Sequence, residues 1–91
     1  MVSAYPTRNE ANIYPNPATD QLHLNFSLQE RSNVKIDLYN GNGQLIQPIN
    51  NTFFESGNQS LEINLNSIPS GIYWIRIASE KDIQTLKIIK N

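Results

Sequence analysis

The chain has 91 residues, a formal net charge of −1, 38% hydrophobic residues and no cysteine. Its length sets one small domain with a modest core. The charge balance offers no basic field for nucleic acid or an anionic membrane, and the lack of cysteine excludes a disulfide scaffold and Cys-ligated zinc.

The opening Met1-Val2-Ser3-Ala4-Tyr5-Pro6 lacks the basic start and apolar stretch of a secretory signal. No apolar run approaches the ~20 residues of a membrane-spanning helix. The expectation is that Met1 is an added start and that the natural protein continues upstream. Residues 1–11, small and polar with Pro6, read as a linker, and residues 12–91 read as the domain.

Residues 9–14 form a short first strand. Leu22, Leu24, Phe26 and Leu28 alternate with His23, Asn25 and Ser27, the period of a half-buried strand. After a polar turn, Val34, Ile36 and Leu38 alternate with Lys35, Asp37 and Tyr39. Asn40-Gly41-Asn42-Gly43 supplies residues that tolerate positive φ, as hairpin turns require. Residues 44–49 return as a strand that Pro48 pushes toward a sheet edge.

Residues 50–58 read as a polar loop holding Phe53-Phe54, with one ring inward and the other outward. Leu61, Ile63 and Leu65 alternate in the next strand. Ser67-Ile68-Pro69-Ser70-Gly71 turns tightly, and residues 72–78 follow with Tyr73, Ile75 and Ile77 on one face. Glu80-Lys81-Asp82 turns the chain into a last strand over residues 83–90. No window keeps a helical period. The result is an all-β chain, an immunoglobulin-like, fibronectin-type-like β-sandwich of about seven strands. Leu65, Pro69 and Tyr73 look like a tyrosine corner, with the Tyr73 ring in the core and its hydroxyl on upstream backbone.

Catalytic and cofactor signals are weak. Gly41-Asn42-Gly43 leads into strand residues, not the helix that a phosphate loop needs, and reads as a hairpin turn. His23 is the single histidine and alternates toward solvent, without a nucleophile beside it in sequence. Asp20, Asp37 and Asp82 are scattered and do not form a calcium loop. The reading is a non-enzyme with no cofactor and no metal. Trp74, with Ile72 and Arg76, lies on the strand face opposite Tyr73, where it either faces outward or packs between sheets.

Four phrases in order carry a family resemblance. They are Tyr14-Pro15-Asn16-Pro17 and its neighbours, residues 34–45 with Tyr39 and Gly43, residues 65–77 with Pro69, Gly71 and Tyr73, and the ending Lys87-Ile88-Ile89-Lys90. Together they resemble the type A C-terminal sorting domain of type IX secretion cargo in Bacteroidetes. Where the middle phrase of that family often has Tyr-Asp and Gly-Arg, this chain has Tyr39-Asn40 and Gly43-Gln44, each swap removing a charge.

The resemblance implies a secretion signal fused behind an N-terminal cargo. It also implies transit through the periplasm, recognition by the outer-membrane translocon, and removal by a cell-surface processing protease. Lys87, Ile88, Ile89 and Lys90 are then the recognition residues, and the other family positions are mainly structural. An exposed edge strand suits reading by β-augmentation and leaves a dimer through that edge open. A carbohydrate-binding or adhesive sandwich is the alternative, since fold does not fix function. An accessory domain that stabilises a neighbouring catalytic domain is a further rival.

Overall fold

The computed structural model describes residues 11–91. The expected linker therefore lies outside the described residues, apart from Ala11. Seven strands follow in order: β1 (Asn12–Tyr14), β2 (Gln21–Leu28), β3 (Ser32–Asn40), β4 (Leu45–Phe54), β5 (Gly57–Asn64), β6 (Gly71–Ala78) and β7 (Ile83–Lys90). They form an antiparallel three-stranded sheet, β1-β2-β5, and an antiparallel four-stranded sheet, β4-β3-β6-β7. The two sheets pack as the immunoglobulin-like sandwich that the alternating patterns predict.

The core is built by period-two alternation from both sheets. Leu22, Leu24 and Phe26 of β2 and Ile63 of β5 face Val34, Ile36 and Leu38 of β3, Tyr73, Ile75 and Ile77 of β6, and Ile88 of β7. Each such aliphatic side chain contributes roughly 1.5–3 kcal/mol on leaving water. Leu65 and Ile68 close one end of the core from the β5–β6 connection. Leu61, expected among the buried residues, is only half-buried. It pairs with Leu24, but β5 is an edge strand and covers it from one side alone.

The loop expected over residues 50–58 is mostly strand. β4 runs on through Phe54, pairing Asn50 with Ile36 and Phe54 with Ser32, and β5 begins at Gly57. The polar run Asn50-Asn51-Thr52 hides the strand because β4 is an edge, where little side-chain surface is buried. Its register against β3 shifts twice, so that Ile49 and Ile46 are extra residues on the edge strand, on either side of Pro48. Such irregularities and an edge proline oppose pairing with a second chain. The two aromatics divide as expected. Phe54 meets Phe26 edge-on at 5.3 Å, and Phe53 stays outward beneath the Arg31 guanidinium at 4.4 Å.

Side chains also tie the two far turns together. Lys81 Nζ donates to Glu30 at 2.8 Å, and this bond together with the carboxylate's charge pushes the lysine pKa up. Ser32 Oγ accepts the Glu80 N–H at 3.1 Å.

Candidate functional site

The last strand is held by residues remote in sequence. β7 is the edge of the four-stranded sheet, paired with β6 from Gly71↔Lys90 to Ala78↔Ile83. Alternation sends Ile88 into the core, where it is fully buried, and leaves Lys87 and Ile89 outward. Lys90 shares the inner parity but lies at the strand's end. Its Nζ donates to the Ile68 carbonyl at 2.6 Å, so the side chain folds over the end of the core and is half-buried. Of the four residues in the closing phrase, Lys87 and Ile89 thus present side chains to solvent, while Ile88 and Lys90 anchor the strand.

The expected open edge is covered where it matters. Asn16 stands beside β7 in place of a strand: its Oδ1 accepts the Ile89 N–H at 3.0 Å and its Nδ2 donates to the Lys87 carbonyl at 3.1 Å. An amide side chain carries one acceptor and a donor pair, so it can mimic a peptide unit. Ala18, fully buried, continues the contact. Its N–H donates to the Ile89 carbonyl at 2.7 Å and its carbonyl accepts the Asn91 N–H at 2.8 Å, forming a parallel bridge with Lys90. The Tyr14-Pro15 and Asn16-Pro17 peptide bonds are both cis. The hydrogen bonds of Asn16 and Ala18 occupy the outward backbone groups of β7 along Lys87–Asn91 and block augmentation there. Composition and periodicity could not show this, because Asn16 and Ile89 are separated by 73 positions.

The other two phrases meet at the same end. In the middle phrase, Asn40 Oδ1 accepts the N–H groups of Asn42 and Gln44 at 2.9 and 3.0 Å, and Gly43 takes a φ of +85°. The uncharged Asn40 thus builds the turn through its amide oxygen. Tyr39 is half-buried on the outer face, opposite Trp74, and Asn40 pairs with Tyr73. In the third phrase, the Tyr73 hydroxyl donates to the Pro69 carbonyl at 2.6 Å, as a tyrosine corner requires, and Gly71 pairs with Lys90. Four stretches spread over the chain are spatial neighbours at one end of the sandwich.

The model of the secretion system C-terminal sorting domain family matches residues 12–91. The chain belongs to this family. It carries a C-terminal sorting signal for type IX secretion. The family implies the type IX secretion machinery as partner and a cargo fused on the N-terminal side. It also implies export toward the cell surface or the extracellular space, with cleavage, and suggests a non-catalytic role. No curated protein matches the chain.

Elsewhere in the sorting domain, the residues considered for chemistry do structural work. His23 is half-exposed, stacked on Tyr14 at 5.1 Å, with Nδ1 3.8 Å from a Glu62 oxygen. Asp37 is buried on the outer sheet face, 3.7 Å from Lys35 Nζ. Among the described residues no three His, Asp or Glu side chains gather as a metal site would need. A surface hollow of about 310 Å³ lies on the three-stranded sheet, lined by Phe26 and by polar groups that include Asn12, Asn25 and Ser60.

Proposed function

We propose that residues 12–91 act without catalysis as a folded address, read by the outer-membrane type IX translocon at the closing phrase Lys87-Ile88-Ile89-Lys90. Ile88 and Lys90 fix the strand, while Lys87 and Ile89 offer the side chains that a receptor touches. The observation that carries this reading is the double grip of Asn16 on the backbone of Lys87 and Ile89. It makes the presentation of these residues depend on the fold of the whole domain. A folded shape, not a linear tag, is then what the machinery recognises.

The route that follows has cargo entering the periplasm by its own N-terminal signal and then crossing the outer membrane with this domain attached. A surface protease cuts in the segment before residue 12. The test fuses a periplasm-directed reporter to the domain in a type IX-competent bacterium and compares Lys87→Ala with the parent. Substitution at so exposed a position costs at most about 0.5 kcal/mol of stability. The expected result is a folded domain with reduced export. Undiminished export with Lys87→Ala and with Ile89→Ala would remove the closing phrase from the signal.

A further inference from the structure

The two outer faces of the sandwich differ in chemistry. On the three-stranded sheet, Asn12, Asn25 and Ser60 form one cross-strand row, Ser27 and Asn58 another, and Gln21 and Asn64 a third. Tyr14, His23 and Glu62 form the row that carries its titratable groups. On the four-stranded sheet, one row runs Leu45, Tyr39, Trp74, Lys87 across all four strands. Ile72 and Ile89 pair beside it and Asp37, Arg76 and Thr85 pair on its other side. Ile72 is 47% exposed and Ile89 39% exposed, at the end where the family phrases gather.

The charges on this second face are one-sided. Its carboxylate, Asp37, is buried and engaged by Lys35. Among the described residues Arg76 and Lys87 form no ion pair. A centre of aromatic and aliphatic side chains with arginine and lysine at its margin is the make-up of a protein interface. A glycan surface would present amides beside its aromatic rings; the amides of this face, Asn33 and Asn51, bond to each other at 2.9 Å toward its far end, away from the Tyr39–Trp74 row. An anionic membrane attracts clusters of about 4–8 basic residues, more than this face holds. A second copy packed face to face about a two-fold axis would set Arg76 and Lys87 against cations of its own kind.

We propose that the outer face of the four-stranded sheet, centred on Tyr39, Ile72, Trp74, Arg76, Lys87 and Ile89, is the docking surface for an acidic, apolar-centred protein surface of the secretion machinery. This rests on the sorting reading and specifies how the closing phrase is read. Because Asn16 and Ala18 occupy the β7 edge, the receptor meets side chains across the sheet, not backbone along it. Lys87 takes part as one corner of that surface.

The experiment uses the reporter fusion with the complete domain. Arg76→Glu/Lys87→Glu is expected to cut extracellular reporter at least ten-fold, and Arg76→Gln/Lys87→Gln less. Asn12→Glu/Asn58→Glu, on the amide face, should export normally. Urea midpoints of the purified variants establish folding. If Arg76→Glu lowers the midpoint, Ile72→Glu/Lys87→Glu, at two exposed positions, replaces it with the same expectation.

Normal export by the folded charge-reversed variants, with trapping when the whole domain is deleted, overturns the docking face and leaves the sorting reading intact. Export without the domain overturns both. The parent should stay monomeric by light scattering and should not float with phosphatidylglycerol vesicles. Dimerisation, or vesicle binding, that Arg76→Glu/Lys87→Glu abolishes would reassign the face to a second copy or to lipid.

Discussion

Asn16 holds the backbone of Ile89 as a neighbouring strand would, its side-chain oxygen accepting the Ile89 N–H at 3.0 Å while its amide nitrogen donates to Lys87 two residues earlier. The opening and closing family phrases are thus one structural unit. Asn16→Ala removes both hydrogen bonds. Each is worth roughly 0.5–1.5 kcal/mol net, so the expected loss is about 1–3 kcal/mol in urea unfolding. Hydrogen exchange at the Ile89 amide should accelerate. An unchanged Ile89 exchange rate would show that Asn16 does not guard the edge.

Tyr73 supplies a second, independent check. Its ring is buried among core residues and its hydroxyl donates to Pro69 at 2.6 Å. Tyr73→Phe keeps the ring and loses the bond, at a cost of about 1 kcal/mol. For a domain of this size that lowers the melting temperature by roughly 4–8 °C. A melting temperature equal to that of the parent would mean that the corner bond contributes nothing net.

Adjacent residues of the closing phrase should behave oppositely. Ile88 is fully buried and Ile89 is 39% exposed. Ile88→Ala should cost roughly 2–5 kcal/mol by opening a cavity, and Ile89→Ala about 0.5 kcal/mol or less. Chemical denaturation of the two variants measures the difference. It also explains why truncating the last strand is a poor test of recognition: deletion removes a core residue together with the exposed ones. Equal destabilisation would contradict the strand's facing.

Gly43 tests the hairpin. Its φ of +85° lies in the left-handed region, and a Cβ there would meet nothing within 4 Å. Gly43→Ala therefore costs backbone strain alone, on the order of 1 kcal/mol. Gly43→Asn, which tolerates positive φ better, should recover part of the loss. Denaturation midpoints ordered Gly, Asn, Ala are the expected result, and Ala equal to Gly would contradict the turn geometry.

Much of this fold was readable from alternation, because one face of each inner strand is buried. Leu22, Leu24 and Phe26, and Tyr73, Ile75 and Ile77, are inward as their spacing requires. Reading failed where burial fails. β4 continues through Asn50-Asn51-Thr52 as an edge strand, and nothing in that polar run distinguishes it from a loop. Leu61 carries the core pattern but sits on an edge and stays half-covered. In the candidate site, residue identity named the phrases but not their meeting place. The cover over β7 depends on one side-chain amide and one alanine far away in sequence, and neither has a periodic signature. Lys90, named with Lys87 in the closing phrase, folds back onto the Ile68 carbonyl at the end of the strand, a contact that residue identity alone does not show.

As a type IX sorting signal, this folded domain takes its cargo outside the cell. The most direct measurement is the distribution of a periplasm-directed reporter between periplasm and medium, with and without residues 12–91 fused behind it. With the domain, reporter should appear at the surface or in the medium, with the domain removed from the mature product. Without it, reporter should remain in the periplasm. Equal amounts outside the cell in both cases would show that the domain is not a sorting signal.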